Sequence, residues 1–476
     1  MATAQRSRRR PPPHSVAEYY ENPDVRAAML DYCGWRQHAP AGAVYLAGLV
    51  ADERPFATWP THAVRVAPSD VESLLSRGCD ISRSLWDHEH LVFMLELDYE
   101  NVDAPAEPYL RPAETFFKLE AGYRAARRVL KPLAIDPLAL MTGRGYQFTG
   151  QVRLDDPIVG RLAELAPETP AWHAGVRSRH PDGIVASLDA EHARAAAGLG
   201  LLIEYCAHLI MRQAARDSTI PVVFNGTIVG DGSAAGRECV SIDFSHVGDP
   251  LDVRHSRVAF SAYQWHLIRP DIFGSLARLG PLVALPRDGG ALISLLDRRR
   301  SLAAGARAAQ HARTSLPEIS AGAARLLEAY ARSPLAAFHR DFYARRPAPA
   351  AGDLEASPPC IRTAFANPND RLLKPEHVQH VVRVLMARGW HPSSIAALIQ
   401  GKYEEDHGWG DRWSWMDRQT RAEFDVRVFA GMIATGLDSL VDFNCVSAQE
   451  KDLCPRTGCA YDLRRDRERL MNRAES

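Results

Sequence analysis

Carboxylates alternate with apolar residues in two short segments of the chain. The segment FMLELDYE carries Glu96 and Asp98, and the segment ECVSIDF ends with Asp243. Successive side chains of a strand point to opposite faces, so Glu96 and Asp98 share one face. Two such carboxylates can hold a pair of divalent cations, which stabilise the attacking and leaving oxygens of phosphoryl transfer. The pattern predicts a Mg²⁺ or Mn²⁺ site with Asp243 as a third ligand, and acidic side chains that merely face solvent are the plain alternative.

A glycine-rich turn lies between these segments. It reads Thr142-Gly143-Arg144-Gly145 and is followed by Gln147. The turn lacks the Lys-Ser/Thr of a P-loop, but its backbone N–H groups and Arg144 suit a triphosphate. Gln147 can hydrogen-bond a phosphate without carrying charge. Downstream, His255 and Arg257 in DVRHSRVAF add groups that we expect to be cationic near Asp243. An ordinary hairpin turn is the alternative interpretation.

Four cysteines in the last quarter of the chain have the spacing of metal ligands. Cys360 stands alone in PPCIRTAF, whereas Cys445, Cys454 and Cys459 are clustered. A thiolate set drawn from two segments predicts a four-cysteine site that joins two helical regions. Either a [4Fe–4S] cluster or Zn²⁺ is compatible with such ligands. The other cysteines are interpreted as small buried apolar residues: Cys33, Cys79, Cys206 and Cys239.

Composition and charge restrict the class of protein. The chain has 476 residues, 46% of them hydrophobic, and a formal net charge of -1, so a nucleic-acid-binding protein of this composition must segregate its positive charge. The start MATAQRSRRRPPP has no apolar signal region, and no uncharged apolar stretch is long enough for a bilayer. We therefore expect a cytoplasmic, nucleoid-associated protein that makes no membrane contact and whose cysteines are reduced. The arginine-rich stretch 298–313 is interpreted either as a phosphate-binding surface or as a solvated helix face.

Periodicity predicts an α+β catalytic region followed by helices. The expected divisions are a disordered basic tail (1–15), a catalytic domain (16–345), a linker (346–359) and a helical four-cysteine domain (360–476). Within the catalytic region, residues 16–32 are predicted as a short strand or turn followed by a helix. The other expected elements are a strand over 90–99, a helix over about 113–131, a hairpin around the glycine-rich turn, a helix over about 187–216 capped by Ser187 or Asp189, strands in VVFNGTIV and ECVSIDF, and helices over about 292–340.

The order of these motifs resembles the archaeo-eukaryotic primase superfamily. FMLELD, TGRGYQF and SID resemble the catalytic motifs, and RHSRVAFSAYQWH with His255, Arg257, Ser261 and His266 resembles the last motif. The C-terminal part is similar to the iron–sulfur domain of the primase large subunit, which begins near Pro-Pro-Cys. The resemblance implies a core of RRM-like α/β modules fused to an all-helical iron–sulfur domain. The sequence departs from the family pattern at Glu96, where the family has Asp, and at Gln147, where it has His.

The resemblance implies a primase-polymerase that performs template-directed nucleotidyl transfer on single-stranded DNA. Glu96, Asp98 and Asp243 would hold Mg²⁺ or Mn²⁺, and Arg144, Gln147, His255 and Arg257 would bind the incoming NTP or dNTP. Cys360, Cys445, Cys454 and Cys459 would hold the iron–sulfur cluster, and a helicase or other replication protein is a candidate partner. Two alternatives stay open: a catalytically weak module that binds single strands and uses its metal for structure, and a hydrolase with the same carboxylates.

One aromatic cluster has two interpretations at this stage. Trp409, Trp413 and Trp415 either stack bases, with Arg412 and Arg418 on phosphates, or pack in the core beside the metal site.

Overall fold

The computed structural model shows a mixed α+β protein with a helical C-terminal region. It describes residues 15–35, 41–49, 64–176, 188–227, 237–287, 289–344, 354–368, 371–405, 407–408, 416–455 and 459–475. Most of the basic tail, the cap candidate Ser187, most of the expected linker, the three tryptophans and Arg412 lie outside these ranges.

A six-stranded sheet forms the centre of the region before the expected linker. Its strand order is β12-β5-β6-β4-β8-β7, with only the β7–β8 pair parallel. The strands are β4 (His90–Asn101), β5 (Leu138–Met141), β6 (Gly145–Arg153), β7 (Val222–Phe224), β8 (Glu238–Asp243) and β12 (Leu285–Pro286). The expected strand at 90–99 and the expected hairpin are therefore present, and they form the middle of the sheet.

A smaller four-stranded sheet faces one side of the large sheet. Its antiparallel order is β2-β1-β3-β9, from β1 (Leu46–Leu49), β2 (Val64–Val66), β3 (Asp80–Ser84) and β9 (His255–Arg257). β10 (Ala262–Tyr263) and β11 (Leu282–Val283) form a separate pair. Val92 and Met94 of β4 share a buried cluster with Ile81 of β3, so apolar packing holds this side of β4 against the small sheet.

Helices cover the opposite face of the large sheet. The helices before the linker are α1 (Val16–Tyr20), α2 (Pro23–Tyr32), α3 (Val71–Leu75), α4 (Glu107–Leu110), α5 (Pro112–Leu130), α6 (Ile158–Leu165), α7 (Ala190–Ala214), α8 (Trp265–Ile268), α9 (Pro270–Phe273), α10 (Leu292–Arg299), α11 (Leu302–Ala309), α12 (Ser320–Ala331) and α13 (Pro334–Ala344). Phe116, Leu119, Ala126 and Leu130 of α5 are buried at helical spacing and pack in the cluster that contains Leu95 and Leu97 of β4.

Helix α7 is the long central helix that the sequence predicts. The Asp189 carboxylate accepts the N–H groups of Glu191 and His192, which identifies Asp189 as its N-cap. The helix is long and apolar enough to cross a membrane by length and composition alone, but 72% of its most apolar window is buried inside the protein. Packing against the sheet accounts for that composition.

The segment 16–32 differs from its prediction. Instead of a strand or turn before the helix, two helices are present. The Ser15 side chain accepts the Glu18 N–H at the start of α1, and Asn22 caps α2, whose first residue is Pro23. A second N-cap followed by proline starts a new helix where apolar periodicity alone suggested a break.

The C-terminal region is helical and packs on the region that contains the large sheet. It contains α14 (Pro359–Ala366), α15 (Pro375–Ala387), α16 (Pro392–Glu404), α17 (Arg418–Ala434), α18 (Cys445–Glu450) and α19 (Arg464–Glu475). Arg427 of α17 donates to the buried carboxylate of Glu204 on α7 at 2.9 Å, and Phe424 packs edge-on against Phe244. The same hydrophobic cluster continues from the large sheet into these helices.

Candidate active site

Three carboxylates meet on one face of the large sheet. Glu96 on β4 lies directly opposite Asp243 on β8, and Asp98 is two residues further along β4. Directly opposed side chains on antiparallel strands have Cβ atoms about 4.5–5.5 Å apart. The Asp243 carboxylate is further oriented by the Ser245 N–H, which donates to it at 2.8 Å. The expected acidic set is thus assembled by the register of β4 and β8.

These carboxylates line a cleft between the two sheets. The cleft has a volume of about 290 Å³, and its other wall is formed by side chains of the small sheet and the segment that leads into it, including Arg254, His255 and Arg257. Carboxylates on one wall and cationic groups on the other give a site that combines cation and phosphate ligands.

Burial and repulsion between neighbouring carboxylates make the ionised forms of Glu96 and Asp98 unfavourable. Burial and then the charges of Asp98 and Asp243 raise the pKa of Glu96 to about 8. Burial and Asp243 also raise the pKa of Asp98, which the Arg144 guanidinium partly offsets. A cation bound among these oxygens would oppose both shifts by stabilising the ionised carboxylates, and hard carboxylate oxygens are the ligands that Mg²⁺ and Mn²⁺ prefer. The chemistry of the donor set therefore fits the expected metal ions, although among the described residues these three side chains are not gathered into a metal-binding group.

Arg144 neutralises part of this charge. Its guanidinium lies 2.7 Å from Asp98 and 3.6 Å from Glu100, measured between nitrogen and carboxylate oxygen. Despite burial, these carboxylates raise the pKa of Arg144, so it stays charged. Arg144 is therefore the counter-cation of Asp98. It lies on the side of the cleft where the sequence predicts triphosphate binding.

The glycine-rich turn is held from behind by Arg299. The Thr142 N–H donates to the Gly145 carbonyl at 2.8 Å, and Arg299 donates to the carbonyl oxygens of Thr142 at 2.6 Å and Gly143 at 3.2 Å. A Cβ atom at Gly145 would lie 1.9 Å from the Leu97 carbonyl oxygen, so the close approach to β4 requires glycine. Arg299, interpreted from the sequence as part of a basic surface stretch, is in fact 1% exposed and supports the turn.

Gln147 makes structural hydrogen bonds that the sequence did not predict. It is fully buried, and its amide oxygen accepts the Arg257 N–H at 3.0 Å. Its amide nitrogen donates to the Arg257 carbonyl at 3.2 Å and to the Tyr32 hydroxyl at 3.0 Å. Both ends of the amide are used, so in this structure Gln147 joins the two sheets while it also lines the cleft.

Of the two expected cationic groups, only Arg257 is charged. Burial and the nearby Arg254 and Arg65 lower the pKa of His255 to about 3, so the imidazole is neutral, in contrast to the prediction. Arg257 forms an ion pair with buried Asp80 and lies over the Tyr263 ring at 4.6 Å. The sequence reasoning missed Asp80, which lies in no motif, and Tyr263, which lies within RHSRVAFSAYQWH but was not singled out there.

The C-terminal region reaches the cleft through ion pairs. Arg254, which lines the cleft, pairs with Asp249, and Asp249 lies 3.6 Å from Arg421 on α17. Arg421 also pairs with Asp425 at 3.1 Å. Despite burial, the negative charges of Asp425, Asp249 and Asp243 raise the pKa of Arg421. The position of Arg254 is therefore linked to the C-terminal helices, a connection that the sequence did not indicate.

Two further motif residues have structural contacts. Ser261 accepts the Ile81 N–H at 2.7 Å, and the His266 ring lies 2.9 Å from the Gly280 carbonyl oxygen. Both stabilise the segments around β10 and lie outside the cleft lining.

Three of the four C-terminal cysteines are neighbours. Cys360 lies in the first turn of α14, and its pKa is raised to about 12 by burial and then by Cys454 and Cys445. The Leu463 N–H donates to the Cys445 sulfur at 3.5 Å. Cys459 is exposed. Among the described residues no group of three or more His, Cys, Asp or Glu side chains is gathered closely enough to hold a metal ion, although the thiol chemistry fits a cluster or Zn²⁺.

The comparisons with known proteins add no relative. Protein-family models, curated proteins and solved structures all give no match to this chain. The functional argument therefore rests on the geometry of the cleft.

Proposed function

We propose that this protein is a template-directed nucleotidyltransferase that makes or extends a strand on single-stranded DNA. The observation that carries the proposal is the register that places Glu96 opposite Asp243, with Asp98 beside them, in a cleft whose other wall is cationic. This combination of a carboxylate set with facing arginines suits a triphosphate better than any neutral substrate.

The acidic residues would hold the metal ions. Glu96, Asp98 and Asp243 offer carboxylate oxygens on one face, and the raised pKa of Glu96, caused by burial and by the neighbouring carboxylates, favours occupancy by cations. When bound, Mg²⁺ or Mn²⁺ supplies charge neutralisation at the triphosphate and activation of the attacking 3′-hydroxyl.

The cationic residues would bind and orient the incoming nucleotide. When metal ions neutralise the carboxylates, Asp98 shares its negative charge with them. Arg144 then exchanges its contact with Asp98 for one with the phosphates. Arg257, held by Asp80 and by the Gln147 hydrogen bond, supplies a second fixed charge. Neutral His255 contributes a hydrogen bond rather than a charge.

The cysteines would bind a [4Fe–4S] cluster, with Zn²⁺ as the alternative. Cys360, Cys445, Cys454 and Cys459 are the proposed ligands, and the metal would stabilise the helices that position Arg421. Its proposed role is structural support of the cleft and of template binding.

The direct experiment is synthesis without a primer. Purified protein is incubated with single-stranded template, Mn²⁺ or Mg²⁺ and labelled NTPs or dNTPs, beside a Glu96→Ala/Asp98→Ala variant. Short products from the wild type alone support a primase and give its sugar preference. A protein that releases nucleoside monophosphate without making a strand is a hydrolase, and one that binds strands but makes no product even from a primer is the binding module.

A further inference from the structure

A large groove lined by arginines lies at the open edge of the six-stranded sheet. It has a volume of about 920 Å³ and lies beside β5 and β12, among α5, α10, α11 and the segment after α11. Its basic lining residues are Arg127, Arg287, Arg298, Arg307, Arg313 and His311, which together we call the arginine groove. Asp136 is the one carboxylate that lines it within the described part of the chain.

The charge of this groove is only partly neutralised. Arg127 pairs with Asp136 at 2.5 Å, and Arg287 pairs with Glu120 at 3.2 Å. Arg307 and Arg313 are exposed and have no ion-pair partner among the residues that the structure describes. In a chain of net charge -1, this is the charge segregation that a polyanion-binding protein needs.

One guanidinium in the groove points to a ligand. The Arg287 side chain is 10% exposed, yet its Nε and Nη1 atoms have no hydrogen-bond partner within the part of the chain that the structure describes. Buried polar nitrogens without partners are costly, and a phosphate oxygen is the acceptor that a guanidinium fits best. Arg287 also lies over the Tyr123 ring at 4.8 Å, so an aromatic side chain stands within the basic lining.

The groove is connected to the cleft through short segments. β5 lies at the groove and runs directly into the glycine-rich turn that carries Arg144. Arg298 of α10 lines the groove, whereas its neighbour Arg299 holds the same turn. A strand bound in the groove would therefore lie beside elements that form the cleft.

We propose that the arginine groove binds the phosphodiester backbone of a single-stranded polynucleotide outside the cleft. The proposal rests on the proposed function, because it names a second contact of the strand on which the cleft acts. A basic groove with aromatic side chains binds single strands with little sequence preference.

The test is strand affinity as a function of salt. Labelled oligothymidylate and oligouridylate are titrated with the wild type and with Arg307→Glu/Arg313→Glu. The variant is expected to bind about tenfold or more weakly, and its log–log salt slope to decrease by about 1.4, since each single-strand phosphate contact contributes roughly 0.7. The two oligonucleotides show whether DNA or RNA is the ligand.

Two controls define the result. Arg332→Glu/Arg340→Glu makes the same charge change at exposed positions outside the groove and should leave affinity and slope nearly unchanged. Arg307→Lys/Arg313→Lys keeps the charge and should retain most of the affinity. Equal losses of affinity in the two glutamate variants would overturn the proposal, and so would unchanged binding in the groove variant. It would also be overturned if free triphosphate abolished the difference in strand affinity between the wild type and the groove variant.

The groove and the proposed function fail separately. If the wild type makes no strand but Arg307→Glu/Arg313→Glu still weakens binding, the groove stands and the nucleotidyltransferase proposal falls. If synthesis occurs and strand affinity is unaffected by the groove variant, the groove proposal alone falls.

Discussion

Gln147 and Arg257 are joined by two reciprocal hydrogen bonds across the space between the sheets. The Gln147 amide oxygen accepts the Arg257 N–H at 3.0 Å, and its nitrogen donates to the Arg257 carbonyl at 3.2 Å. The Gln147 side chain of the large sheet thus makes the two backbone hydrogen bonds that a neighbouring strand would otherwise make with β9 of the small sheet. This contact fixes the width of the cleft in which the carboxylates lie.

Replacing Gln147 with Ala should destabilise the protein. It leaves the part-buried N–H and C=O of Arg257 without their Gln147 partners, and each unsatisfied group costs about 1–3 kcal/mol, so a loss of about 2–6 kcal/mol is expected. Denaturant unfolding measures the loss. Gln151→Ala on the same strand is the control, and an equal loss in both variants would show that the reciprocal pair is not what stabilises the cleft.

Glu96→Gln should change how stability depends on pH. In the folded protein the pKa of Glu96 is raised to about 8 by burial and by Asp98 and Asp243, against 4.5 in the unfolded chain. The folded state therefore keeps a proton that the unfolded chain releases, and stability decreases as the pH rises from 4.5 to about 8. The variant cannot ionise, so at pH 8 in a chelator it should melt a few degrees above the wild type, and the two should converge near pH 4.5.

Two further melts test the cause of that pH effect. Added Mn²⁺ should raise the melting temperature of the wild type more than that of Glu96→Gln, because only the wild type keeps all three carboxylates. The exposed Glu114→Gln serves as control and should follow the wild type. Identical melting of wild type and Glu96→Gln at pH 8 would contradict the charge crowding inferred at this site.

Cys454→Ser should remove the metal that we propose the C-terminal cysteines bind. Structural metal binding is also folding free energy, so the variant should lose metal and unfold its C-terminal helices more easily. Iron, sulfide and zinc contents distinguish the ligand: four irons with sulfide for the cluster, one zinc for the alternative. Cys206→Ala, in the core of α7, should keep its metal. Unchanged metal content in Cys454→Ser, or a wild type without metal, would refute the four-cysteine assignment.

The sequence predicted elements whose signals are local. Alternation in FMLELDYE and ECVSIDF placed Glu96, Asp98 and Asp243 on strand faces, and Asp189 marked the start of α7. Strand pairing between β4 and β8 then brought the carboxylates together in a register that one residue of slip would have abolished. The α+β class and the helical C-terminal region followed from the same periodicities.

The rest depended on contacts between residues distant in the chain. Arg299 looks like its exposed neighbours in sequence, but its packing below the glycine-rich turn buries it. His255 seemed cationic until its burial beside Arg254 showed a neutral ring. The buried Glu204–Arg427 pair joins residues 223 positions apart, and no local pattern indicates such a partner.

The central claim is that the carboxylates of the cleft perform template-directed nucleotidyl transfer, and Asp243→Asn tests it most directly. This change keeps the size of the side chain opposite Glu96 and removes its charge. Extension of a supplied primer on a single-stranded template should fall by at least about 100-fold, whereas affinity for the template stays within about twofold of the wild type. Extension at the wild-type rate by Asp243→Asn would contradict the account.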